Sequence, residues 1–75
     1  MDELKKVYVI VGIGYTVDKV KKEIKEEGYS YEFHFGCQVE LLKESDEVWL
    51  FGDCSDREDF ALAQELGCDI WDMTA

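Results

Sequence analysis

The chain has 75 residues, 47% of them hydrophobic, with six glycines and no proline, a composition typical of one small packed domain spanning 1–75. Its longest apolar run, Val7 to Ile13, is too short to cross a membrane, and three cysteines without a CxxC pair predict reduced thiols in a cytoplasmic protein. The net charge of −10 opposes direct binding to the phosphates of nucleic acids.

The first predicted strand is Lys6 to Gly12, a nearly continuous β-branched run of the kind that is buried on both faces of a sheet. Gly12 to Tyr15 form the turn after it. Thr16 is expected to cap the next helix and Gly28 to end it. The apolar stripe of this helix consists of Val17, Val20 and Ile24.

Aromatic and polar residues alternate from Tyr29 to Phe35, which predicts a strand at the sheet edge with one covered face. Gln38 to Glu44 is predicted to be a short helix. The next strand, Glu47 to Gly52, has the second centrally buried pattern. These two strand patterns differ because one face of an edge strand remains in contact with solvent.

The last third of the chain predicts one more helix and one more strand. Ser55 to Glu58 matches a capping box, in which a hydroxyl and a carboxylate satisfy free backbone amides at a helix start. Gly67 is expected to end this helix, and Cys68 to Met73 is predicted to be a partly exposed strand.

Strands that alternate with helices predict parallel pairing through right-handed crossovers. The fold class is therefore α/β: a minimal Rossmann-like, three-layer domain with three helices and a four-stranded parallel sheet. We expect the strand order 2-1-3-4, because the first and third strands have the most buried patterns. Trp49 and Trp71 are expected to be core or interface residues.

Ligands of such sheets bind where the strand order reverses, at the carboxyl ends of the strands. The loops after the first and third strands meet there, and both lead into helix starts whose free amides suit an anion or a ribose hydroxyl. The candidate ligand-binding residues are Gly12, Gly14, Tyr15 and Thr16 in one loop and Gly52, Asp53, Ser55 and Asp56 in the other.

A tight turn that requires glycine torsion angles is the alternative interpretation of the first loop. A dinucleotide fingerprint needs a third glycine at position 17, where Val17 stands, so the sequence predicts no dinucleotide cofactor. It predicts no metal site either.

Two stretches carry a resemblance to a known family: Ser45-Asp46-Glu47-Val48-Trp49-Leu50-Phe51-Gly52-Asp53 and Asp59-Phe60-Ala61-Leu62-Ala63-Gln64-Glu65-Leu66-Gly67. They resemble the nucleoside 2-deoxyribosyltransferase-like superfamily, in its small, often phage-encoded branch. The resemblance implies a Rossmann-like fold and, for true transferases, cleavage of N-glycosidic bonds by a glutamate nucleophile. It places Asp59 at the nucleophile position and Asp53 at that of a helping aspartate. Acids in a first helical turn also have a structural interpretation, as complements of the helix dipole.

The principal functional hypothesis is a small module that binds a nucleoside or nucleotide-type ligand at the carboxyl ends of strands one and three. One alternative is an acidic interaction protein, such as an inhibitor that mimics nucleic acid on a basic protein surface, because residues 38–75 carry eleven acids against two basic residues. Another is an active transferase or hydrolase of N-glycosidic bonds that uses Asp59 and Asp53. We also expect a homodimer, in which a second copy covers the aromatic strand face or the edge at Trp71.

Overall fold

The computed structural model describes residues 4–25, 31–35 and 39–74 of the chain. The elements in chain order are β1 (Lys5–Val11), α1 (Val17–Ile24), β2 (Tyr31–Phe35), α2 (Val39–Glu44), β3 (Glu47–Phe51), α3 (Glu58–Leu66) and β4 (Ile70–Asp72). No helix in these described ranges is long and apolar enough to span a bilayer.

The strands form one four-stranded sheet in the order β2-β1-β3-β4. All three neighbouring pairs are parallel, and Val9 in β1 lies between Phe35 in β2 and Trp49 in β3. The predicted parallel α/β fold and its strand order are therefore confirmed. The order follows from burial, because the two most continuous apolar strands take the two central positions.

Helices cover both faces of the sheet, as in a three-layer domain. Successive strand residues point to opposite faces, which divides the core into two layers. The layer under α2 and α3 contains the buried residues Tyr8, Ile10, Leu42, Val48, Leu50, Cys54 and Ala63. The layer under α1 contains the buried residues Val7, Val9, Val20, Ile24, Trp49 and Phe51.

Helix α1 begins as predicted. The Thr16 side chain accepts a hydrogen bond from the Lys19 amide at 3.2 Å, and Thr16 itself has extended torsion angles (φ −121°), as an N-cap requires. The predicted helix end at Gly28 and strand start at Tyr29 lie outside the described residues, as does the predicted start of the second helix at Gln38.

The predicted capping box of α3 is wrong, whereas the predicted end of this helix is confirmed. The helix starts at Glu58 with Arg57 as its N-cap residue, and no side-chain hydrogen bond caps it. The Ser55 hydroxyl donates instead to Asp53, at 2.7 Å, because the β3–α3 loop turns before the helix begins. At the other end, Gly67 has φ +71° and its amide donates to carbonyl groups of the last turn.

Candidate functional site

The loops after β1 and β3 leave the same end of the sheet and are joined to each other. The Ile13 amide donates to the Asp53 carbonyl at 3.0 Å, and the Asp53 amide donates to the Ile13 carbonyl at 3.1 Å. These two bonds form an isolated antiparallel bridge beyond the ends of the parallel strands. The structure thus brings the two predicted loops together through their backbones.

Two glycines allow this close approach. A Cβ atom on Gly12 would lie 2.2 Å from the Asp53 carbonyl oxygen, and one on Gly52 would lie 2.5 Å from the Ile13 carbonyl oxygen. Gly52 also has φ +81°, which side chains rarely adopt. The Gly12 amide donates to the Phe51 carbonyl at 2.7 Å, so it points into the protein. These contacts favour the tight-turn interpretation of the glycines over a phosphate cradle.

The remaining predicted residues of the β1–α1 loop serve local structure. The Tyr15 ring lies on the α1 side of the sheet, with its centroid 6.1 Å from that of Phe51. The Lys19 ammonium lies 4.5 Å from the Tyr15 ring centroid. Thr16 caps α1, and Gly14, with φ +98°, makes the turn. Tyr15 and Thr16 therefore support the start of α1.

Asp53 is exposed, and its hydrogen bonds stabilise the start of the β3–α3 loop. One carboxylate oxygen accepts hydrogen bonds from the Ser55 hydroxyl at 2.7 Å and from the Ser55 amide at 3.1 Å. Both bonds hold the pKa of Asp53 below its ordinary value, because they favour the charged carboxylate. The bond from the Ser55 hydroxyl has the larger effect and the bond from the Ser55 amide the smaller one. Asp53 is thus oriented by its own loop.

Replacing Ser55 with alanine is expected to raise the pKa of Asp53 toward the ordinary aspartate value, because the hydroxyl donor is removed. Because the pKa of Asp53 is lower in the folded chain, its bonds with Ser55 stabilise the fold at pH values above the unfolded-chain pKa of about 3.9. This stabilisation is lost as the pH falls through the lower folded-state pKa. An NMR titration of the Asp53 carboxyl carbon in both proteins measures the shift. An unchanged Asp53 pKa in the variant would contradict this account.

Asp59 lies at the start of α3 and contacts the core of the domain. Its carboxylate accepts a hydrogen bond from the Tyr8 hydroxyl at 2.8 Å, and Tyr8 is only 1% exposed. Asp59 also lines a hollow of about 300 Å³ together with Asp56, Arg57 and Glu58. Asp53 is absent from the lining of this hollow, and Asp59 is absent from the lining of the hollow beside Asp53.

A smaller hollow opens at the carboxyl ends of β3 and β4, on the α3 side of the sheet. Its volume is about 210 Å³, and its lining residues are Leu50, Gly52, Asp53, Cys54, Ser55, Phe60 and Asp72. We call it the Asp53–Asp72 hollow. It contains the predicted residues of the β3–α3 loop up to Ser55, and none of its lining residues comes from the β1–α1 loop.

Asp72 is the functional candidate that the sequence reasoning missed. Its carboxylate accepts hydrogen bonds from the Thr74 amide at 3.1 Å and from the Thr74 hydroxyl at 3.2 Å. The Gly52 amide in turn donates to the Thr74 hydroxyl oxygen at 3.1 Å, which links the ends of β3 and β4. Asp72 is an acid near the carboxyl end of the last predicted strand, Cys68 to Met73, and this position could have indicated it as a site residue.

The Asp53–Asp72 hollow suits a ligand that donates hydrogen bonds. Ionised carboxylates only accept hydrogen bonds, so they pair with hydroxyl groups or cations and repel anions. Cys54 supplies a buried thiol whose pKa is raised, chiefly because burial disfavours the thiolate. The thiol contacts the carbonyls of Ile10 and Phe51 and is a structural group, since an activated cysteine requires a lowered pKa.

The chain was compared with protein-family models, with curated proteins and with solved structures. None of the three comparisons found a match.

Proposed function

We propose that this domain binds a small, hydroxyl-bearing ligand of nucleoside type in the Asp53–Asp72 hollow. The observation that carries the proposal is that two carboxylates line one hollow at the carboxyl ends of neighbouring parallel strands. Ligands of open α/β sheets bind at this end, and an acidic side chain there accepts hydrogen bonds from ribose hydroxyls. The resemblance to the deoxyribosyltransferase-like superfamily supports the same ligand class.

The charge of the hollow favours a neutral nucleoside over a nucleotide. Asp53 and Asp72 would repel a phosphate, and residues 38–75 carry eleven acids against two basic residues. The amides of Gly52 and Ser55 donate to internal acceptors, so they are not directed at an anion. A volume of about 210 Å³ is also smaller than the usual pocket of roughly 300–1,000 Å³. The hollow therefore accommodates a sugar, with the base on the rim.

We expect the chain to bind nucleosides and to bind their phosphates more weakly or not at all. NMR chemical-shift titration of the labelled chain with adenosine, deoxyadenosine, AMP and ATP tests this order. The expected shifts fall on the amides of Gly52, Asp53 and Ser55. Asp72→Asn is expected to weaken nucleoside binding by about tenfold, the usual scale for one charge-assisted hydrogen bond.

Asp69→Asn is the matched control, because Asp69 is an exposed acid beside β4 that does not line the hollow. It is expected to leave nucleoside binding unchanged. No shift with any nucleoside, in a chain that circular dichroism shows to be folded, would remove the proposal. Stronger binding of AMP or ATP than of adenosine would also contradict it, since the proposed site repels phosphate.

An N-glycosidic-bond activity has less support than simple binding. Such chemistry requires two carboxylates at the same glycosidic bond, one of them as nucleophile. Asp59 accepts a hydrogen bond from the core residue Tyr8 and lines a different hollow from Asp53. We therefore assign Asp53 to ligand binding and Asp59 to stabilisation of the fold.

A further inference from the structure

The side chain of Thr74 joins the carboxyl ends of β3 and β4. Its hydroxyl oxygen accepts a hydrogen bond from the Gly52 amide at 3.1 Å, and its hydroxyl group donates to the Asp72 carboxylate at 3.2 Å. A hydroxyl group can donate one hydrogen bond while it accepts another, so the two bonds are compatible. The Thr74 hydroxyl therefore connects one acid of the Asp53–Asp72 hollow to the backbone of the β3–α3 loop.

Two backbone hydrogen bonds fix the segment that carries Asp72. The Thr74 amide donates to the same Asp72 oxygen at 3.1 Å, and the Met73 amide donates to the Leu50 carbonyl at 3.0 Å. The second bond ties the chain beyond β4 to β3. Asp72 is exposed, and an exposed side chain without such bonds would exchange between several rotamers. The bonds from Thr74 therefore restrict the direction of the Asp72 carboxylate.

Thr74 acts on the hollow through its neighbours. Within the described part of the chain, Thr74 is absent from the lining of the Asp53–Asp72 hollow, whereas both of its side-chain partners, Gly52 and Asp72, line it. Gly52 lies 22 residues before Thr74, so this connection forms only when β3 and β4 pair. A change of the Thr74 side chain would thus alter the hollow without removing a lining residue.

We propose that Thr74 is a positioning residue of the nucleoside site, whose hydroxyl group holds the Asp72 carboxylate in place for a sugar hydroxyl. A carboxylate that is already fixed loses less rotamer freedom when a ligand binds, so the affinity is higher. Side chains that bind a ligand depend in this way on supporting hydrogen bonds from residues behind them. This role of Thr74 rests on the nucleoside proposal and adds a residue outside the hollow to it.

Thr74→Val tests this role, because valine is close to threonine in shape but has no side-chain hydrogen bond. In the NMR titration with adenosine, Thr74→Val is expected to raise the Kd by about fivefold, the scale of one net hydrogen bond. The loss is smaller than that expected for Asp72→Asn, because the carboxylate itself remains. Thr74→Ser keeps the hydroxyl group and is expected to restore the affinity to within about twofold of the unchanged chain.

Gly67→Ala is the control for a loss of stability away from the site. Gly67 ends α3 before β4 begins, so it lies at the opposite end of the sheet from the hollow. It is expected to destabilise the fold but to leave the Kd for adenosine within about twofold, since distant sites act independently. A purely structural role of Thr74 predicts that Thr74→Val behaves like Gly67→Ala.

Amide hydrogen exchange tests the connection between the strands in the absence of ligand. The Gly52 amide is expected to exchange at least about tenfold faster in Thr74→Val, because it loses its acceptor, and at an unchanged rate in Thr74→Ser. Should Thr74→Val prove unfolded by circular dichroism, Thr74→Ala takes its place in both measurements with the same expectations.

The possible failures of this role and of the nucleoside site are distinguishable. An unchanged affinity for adenosine in a folded Thr74→Val or Thr74→Ala chain would overturn the role of Thr74 and leave the nucleoside site intact. An equal loss of affinity in Thr74→Ser would also overturn it, because the hydroxyl group would not be responsible. Unchanged Gly52 exchange in the valine variant would have the same consequence. An unchanged chain that binds no adenosine would remove both proposals.

Discussion

Gly12→Ala is expected to lower the free energy of unfolding by about 3 kcal/mol, at the upper end of the cost of overpacking a well-packed site. The added Cβ atom would lie 2.2 Å from the Asp53 carbonyl oxygen and 2.9 Å from the Cys54 amide nitrogen. Both contacts are with backbone, which cannot rotate away as a side chain would. The two hydrogen bonds between Ile13 and Asp53 must therefore lengthen or break.

Urea denaturation followed by circular dichroism measures this loss in stability. Gly67→Ala is the matched control, because Gly67 has φ +71° but no atom within 4 Å of an added Cβ. Its expected cost is about 1 kcal/mol, from the left-handed torsion angle alone. Equal losses in the two variants would mean that the loops after β1 and β3 separate readily, and the bridge would then contribute little to stability.

Asp59→Ala is expected to lower the free energy of unfolding by about 2 kcal/mol, because it removes an acceptor from a buried hydroxyl group. The Tyr8 hydroxyl donates to Asp59 at 2.8 Å, and Tyr8 belongs to the core layer under α2 and α3. Tyr8→Phe removes the hydroxyl group itself and is expected to cost about 1 kcal/mol, since the half-buried carboxylate can then bind water.

A double-mutant cycle separates this interaction from other roles of Asp59. The double variant is expected to lose at least about 1 kcal/mol less than the sum of the single losses, because the residues are in direct contact. Glu58→Ala, an exposed acid in the same helical turn, is the control and is expected to change stability by less than about 0.5 kcal/mol. Additive losses would show that Asp59 does not act through Tyr8, which would restore its candidacy as a catalytic group.

Short-range patterns account for the part of the fold that could be predicted from the sequence. The continuous β-branched strand before Gly12 and the apolar strand before Gly52 are central because both of their faces must be buried. Thr16 caps α1 and Gly67 ends α3 because these functions depend on residues within one helical turn. The capping box failed because α3 begins only at Glu58, with Arg57 as its N-cap residue. Ser55 therefore lies in the loop before the helix, where its hydroxyl donates to Asp53.

The candidate sites depend on contacts between residues far apart in the chain. Parallel strand order indicated that the loops after β1 and β3 would meet, and it placed Asp53 and Ser55 at the carboxyl end of β3, where the structure has them. Pattern alone did not show that Ile13 and Asp53 bond directly or that Asp72 joins Asp53 around one hollow. It also did not show that Asp59 reaches Tyr8.

The sequence by itself therefore determined the strands, the helices, their order and the acidic charge, because each follows from neighbours along the chain or from composition. Only the tertiary structure decided which of the acids near Asp53 share a hollow and that Trp71 remains exposed. The physical reason is that periodicity specifies which face of an element is buried. The register between elements and the space left between helices arise only when all the elements pack together.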